Sequence, residues 1–175
     1  MSYQKVKKEA AKVLEGSSIA KPPVNVYAIA KRLGIRVVDV PHVPGFSGFL
    51  HRDSDGTPVI GVNKADNPRR QAFTIAHEIG HFCLHPSEAV HVDKEGAVSL
   101  LLRSDQSSAG TVKIEIEANQ FAAELLMPEP FLKDDVAANP AIAGGDAAEI
   151  KKLAAKYGVS VQAMSIRLGS LFASM

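Results

Sequence analysis

The sequence predicts an α+β domain: a small, mostly antiparallel sheet packed on helices, with a C-terminal helical hairpin. Three observations carry this expectation. Three β-rich runs crowd into residues 35–63, helix-period segments lie on both sides of them, and residues 146–175 read as two helices around Tyr157-Gly158-Val159-Ser160.

Each element has a local reason. Val6, Ala10, Val13 and Leu14 place one apolar face on a helix over 3–15, stopped by Gly16. After Pro22-Pro23, Asn25 caps a short helix that runs through Leu33 and ends at Gly34. Ile35–Val40, Gly48–His51 and Pro58–Asn63 are the three candidate strands. Asp55-Gly56 between the last two signals a hairpin, and Pro58 suggests a strand at a sheet edge. Asn67 as N-cap and Pro68 as first residue open a strong helix that reaches about His85. Val98–Leu102 reads as a further possible strand and Ser104–Gly110 as loop. A second strong helix runs from Lys113 to Met127, stopped by Pro128. The Ala/Gly/Asp/Pro-rich stretch 134–146 reads as a linker. Helices over about 147–157 and 160–170 then close the chain.

Composition excludes several classes. The 175 residues suit one domain with a real core, and 20 basic against 19 acidic residues leave a net charge of +1, which advertises no polyanion partner. No apolar leader follows Met1 and no run approaches membrane-spanning length, so no membrane partner is expected. The lone Cys83 cannot form an internal disulfide, which points to the cytoplasm.

Chemistry enters at His77-Glu78-Ile79-Gly80-His81. Positions i and i+4 of a helix are offset by only about 40°, so both imidazoles leave one face and can grip one Zn²⁺ from the same side. Glu78 flanks such an ion without joining it and can act as general base, then acid, toward an activated water. Gly80 leaves room for a substrate backbone or a second helix. A catalytic zinc needs a third protein ligand. Glu117 is favoured by spacing, with Glu124, seven residues on and in the same helical stripe, and His85 or His91 as the alternatives. His85 precedes Pro86 and suits a capping or supporting role better. His42, His51 and His91 read as surface residues, Cys83 as a buried thiol, and Arg69 and Arg70 as exposed or paired with a nearby carboxylate. A His/His/Glu set also accepts Mn²⁺ or Co²⁺.

The stretches Arg70–His81 and Glu117–Pro128 resemble the ImmA/IrrE family of metallo-endopeptidases. The likeness extends to Val24–Ile35, the Gly48 strand, Val62-Asn63 and Leu153–Ser160, covering about 20–170. It implies a zincin-like fold over 1–133 with the hairpin at 146–175 packed on the same domain. It also implies Zn²⁺ on His77, His81 and Glu117, with Glu78 catalytic. The implied partner is a protein substrate, a helix-turn-helix repressor encoded nearby, cut at a specific site to release phage, mobile-element or stress genes. The chain ends shortly after the hairpin, so no sensor domain like that of larger members is expected. The rival reading is a DNA-binding or repressor-sequestering module without proteolysis. The cadence of Ile150–Leu168, with four basic residues, motivates it, while the near-neutral charge weighs against direct DNA binding.

Overall fold

The computed structural model describes residues 1–41, 44–86, 90–94 and 108–173. Helix α1, Tyr3–Glu15, buries Val6, Ala10 and Val13, the one-face spacing expected of it, and α2, Val26–Arg32, starts where the Asn25 side chain accepts the N–H of Ala28.

The sheet follows. Strands β1 (Arg36–Val40), β2 (Phe46–Arg52), β3 (Pro58–Asn63) and β4 (Val90–Lys94) stand in the order β1-β3-β2-β4. The pair β2/β3 is antiparallel with Leu50 opposite Ile60, β2/β4 is antiparallel with Leu50 opposite His91, and β1/β3 is parallel with Val38 opposite Gly61. Two of three pairings are antiparallel, as expected. The Asp55-Gly56 turn forms with Gly56 at φ +83°, and the Asp55 carboxylate accepts the N–H of Thr57 at 2.9 Å.

Three expectations are overturned. The Pro58 strand is interior, not an edge: β3 lies between β1 and β2, so neither it nor the Gly48 strand can receive an added chain. Proline is tolerated because β3 begins one residue ahead of its β1 ladder, which starts at Arg36 opposite Val59. Among the described residues the edges are β1 and β4. The supposed linker is mostly helix: α5 spans Glu129–Ala138 and α6 spans Pro140–Ala143, anchored by buried Leu132 and Ile142 and capped by Asn139. Its alanines favour helix, and the glycines that read as linker come only after α6. Finally α4, Ser108–Leu126, begins at least five residues before Lys113. The possible strand at Val98–Leu102, His42 and the side chain of His91 lie outside the described residues.

Helix α3, Pro68–Leu84, crosses the inner face of the sheet, with α4 against its other side. Two glycines set these distances. A Cβ at Gly48 would stand 2.4 Å from Thr74 Cγ2, and one at Gly80 would stand 3.2 Å from the Cα and carbonyl oxygen of Ala118. Glycine at these points lets α3 pack close to β2 and to α4. The hairpin, α7 (Ala147–Tyr157) and α8 (Val161–Ala173), turns through Gly158 at φ +68°, with the Ser160 hydroxyl accepting the N–H of Ala163. Leu153, Tyr157, Met164 and Leu171 join one continuous core with Val6, Ile29, Ile75 and Phe121. Among the described residues, no helix is long and apolar enough to cross a membrane.

Candidate metal centre

Helix α3 is fastened at its start. Asn67 accepts the N–H of Arg70, and the Gln71 amide donates to the carbonyls of Asn63, Lys64 and Asp66 at 3.3, 3.3 and 2.9 Å. Arg70 donates to Ser47 Oγ at 2.6 Å and faces Asp66 at 3.9 Å, so it is engaged in holding this helix end. With the sheet on one side and α4 on the other, every residue from Thr74 to His81 is buried.

Burial brings three ligand atoms together. His77 Nε2 and His81 Nε2 are 3.1 Å apart, and the Glu115 carboxylate straddles them, Oε2 at 3.4 Å from His77 and Oε1 at 3.4 Å from His81. Glu78 is fully buried beside them on the same turn of α3. His77 Nδ1 lies 3.1 Å from Asn119 Oδ1. Nitrogens and oxygens bound at about 2.0–2.2 Å in a tetrahedral zinc site stand about 3.3–3.5 Å from one another. The spacing of these donors fits one such ion, and their chemistry suits zinc.

The structure does not bring Glu117 into this group. Glu117 is buried, but its carboxylate meets the Met1 ammonium and stands 3.5 Å from His85 Nε2. Glu124 is engaged elsewhere: one oxygen accepts from Arg167 at 2.6 Å and the other from the Tyr3 hydroxyl. The reason is helical geometry. Glu117 and Glu124 do share a stripe, but it meets Met1, Tyr3, His85 and Arg167, whereas Glu115, about 200° from Glu117, faces His77 and His81. Spacing alone could not tell which flank of α4 meets the histidines. The missed signal was the four-residue step from Glu115 to Asn119, which puts a carboxylate and an amide on one flank.

The remaining polar residues take quieter places. The backbone N–H of His85 caps α3 on the carbonyl of His81, and its ring stacks at a tilt 5.6 Å from the His81 ring. Cys83 is partly buried against the core, and that burial pushes its thiol up to about 11. His51 pairs with Asp53 at 3.5 Å.

The chain is similar to several known proteins. An immunity region protein of Bacillus phage phi105, itself uncharacterized, is 29% identical over 122 residues, 65% of this chain and 70% of that protein. The radiation response metalloprotease IrrE of Deinococcus radiodurans is 36% identical over 76 residues, 43% of this chain. A Mycobacterium tuberculosis transcriptional regulator shares the fold, with a TM-score of 0.61 at 19% identity over 92% of this chain. The match covers only 21% of the Deinococcus protein and 45% of the mycobacterial chain. The family described as Peptidase_M78, the IrrE N-terminal-like domain, matches residues 30–169, a span that holds both the histidine helix and the Glu115 helix. The chain therefore belongs to the IrrE N-terminal-like family of M78 peptidases.

Proposed function

We propose that this chain is a zinc-dependent endopeptidase that acts in the cytoplasm, cutting a helix-turn-helix repressor to release phage, mobile-element or stress genes. The observation that carries this reading is the convergence of His77, His81 and Glu115 within 4.8 Å beside the buried Glu78. His77, His81 and Glu115 would hold the ion. A bound Zn²⁺, or Mn²⁺ or Co²⁺ in its place, would activate a water and polarise a carbonyl. Glu78 takes a proton at its carboxylate as general base and returns it to the leaving amine. The walls of α3 and α4 exclude bulk water and strengthen these charge interactions. The phage immunity-region relative and the Deinococcus metalloprotease support a regulatory substrate.

The burial of Arg167 in the hairpin favours peptidase over DNA reader. Of its four basic residues, Arg167 pairs with Glu124 at 2.6 Å, Lys152 with Glu149 at 2.6 Å, and Lys156 with Asp135. Arg167 is committed to a buried pair and is a poor phosphate contact, whereas the Lys152 and Lys156 pairs lie at the surface.

The test is to incubate zinc-loaded protein with the repressor encoded beside its gene and compare wild type with Glu78→Gln on a gel. A discrete cut by the wild type alone supports the reading. Absence of a cut, with one metal per chain and a stable complex, would move the function to repressor sequestration.

A further inference from the structure

A neutral imidazole carries one N–H, so a histidine that offers Nε2 to a metal must keep its proton on Nδ1, and that proton needs an acceptor. In His77 the two nitrogens have distinct surroundings. Nε2 points at His81 Nε2 and at Glu115, while Nδ1 points at the side-chain oxygen of Asn119, 3.1 Å away. Asn119 lies one turn beyond Glu115 on α4, so one helix supplies both a carboxylate for the cluster and a partner for the far side of His77.

The residue type matters as much as its place. A carboxylate in this position would also accept the Nδ1 proton, but it would add negative charge beside the buried Glu78 and the partly buried Glu115. It would make the imidazole a stronger donor and so blunt the acidity of a bound ion. An amide oxygen accepts the same hydrogen bond without the charge.

We propose that Asn119 is a positioning residue for the metal centre: its amide oxygen accepts the Nδ1–H of His77, holding the ring with the Nε2 lone pair toward His81 and Glu115 without adding charge. The inference rests on the metal reading above and adds a residue that contacts neither substrate nor ion.

The test measures zinc affinity by chelator competition for wild type, Asn119→Leu and Asn119→Asp, with ¹⁵N NMR of the histidine rings in the zinc-loaded wild type. Removing the partner of a ligating histidine costs on the order of 10–100-fold in metal affinity, and that loss is expected for Asn119→Leu. Asn119→Asp should bind at least as tightly as wild type, and His77 Nδ1 should carry a proton. Wild-type affinity in Asn119→Leu, or an Asp variant weaker than wild type, would overturn the proposal, as would an unprotonated His77 Nδ1. If Asn119→Leu fails to fold, the Asp variant and the spectrum decide. The two possible failures separate cleanly: a wild type that takes up no zinc removes the metal centre and this proposal together. One ion per chain with an insensitive Asn119 removes only the role of Asn119.

Discussion

Arg167 and Glu124, 43 positions apart, close a buried ion pair at 2.6 Å that ties the last helix of the chain to the helix carrying Glu115. The same guanidinium donates to the carbonyl of Met127 at 3.2 Å and to the Tyr3 hydroxyl at 3.0 Å, so α1, α4 and α8 meet at one side chain. Removing one partner of a buried pair leaves the other charge uncompensated. Arg167→Met is therefore expected to lower stability by about 3–5 kcal/mol, with much of the loss recovered when Glu124→Met is added. Urea denaturation reads this directly. A single-variant loss below about 1 kcal/mol would show that the pair does not hold the hairpin in place.

The two glutamates of α4 separate by experiment. Glu115→Ala should weaken zinc binding by more than the roughly 10–100-fold that follows loss of a residue supporting a ligand. Glu117→Ala should still bind one ion per chain. Equilibrium dialysis against zinc checks both, and the reverse pattern would restore Glu117 as the third ligand.

Gly80→Ala tests how closely the two site helices must approach. Alanine in place of glycine ordinarily stabilises a helix by about 1 kcal/mol. Here the new Cβ meets Ala118 backbone atoms and Phe121 Cβ at 3.2 Å, and overpacking typically costs about 1–3 kcal/mol. The expected outcome is a net loss of stability together with weaker zinc uptake, because α4 must shift and carry Glu115 with it. A thermal melt with unchanged or raised midpoint would refute this.

Glu129 gives a pH dependence. Its hydrogen bonds from Lys133 and Lys7 hold its carboxyl down from the usual 4.5 to about 2. A carboxyl depressed in the folded state stabilises the fold above its unfolded pKa, and that contribution is lost as pH falls through the folded value. Stability should thus decline between pH 4.5 and 2, and Glu129→Gln should flatten that part of the profile. The contribution is small, since the lysines are partly solvated. Parallel unfolding curves for the two proteins over this range would exclude it.

Much of this protein was legible because the information was local. The caps at Asn25 and Asn67, the Asp55-Gly56 turn and the Gly158 bend each act within four residues, and the structure places them where spacing alone expects. The facing of His77 and His81 is of the same kind, since one helical turn suffices to align two rings.

What only the tertiary structure decided is how elements are rotated and ordered against one another. Helical periodicity puts Glu115 and Glu117 on opposite flanks of α4, but which flank meets the histidines depends on the close contact of Gly80 with Ala118 and on α1 occupying the other side. The place of β3 between β1 and β2, and the burial of Leu132 and Ile142 that turns an expected linker into helix, are likewise set by partners distant in the chain. A sequence specifies the period of each element through its own residues, while the angle at which that element is presented comes from whatever packs against it.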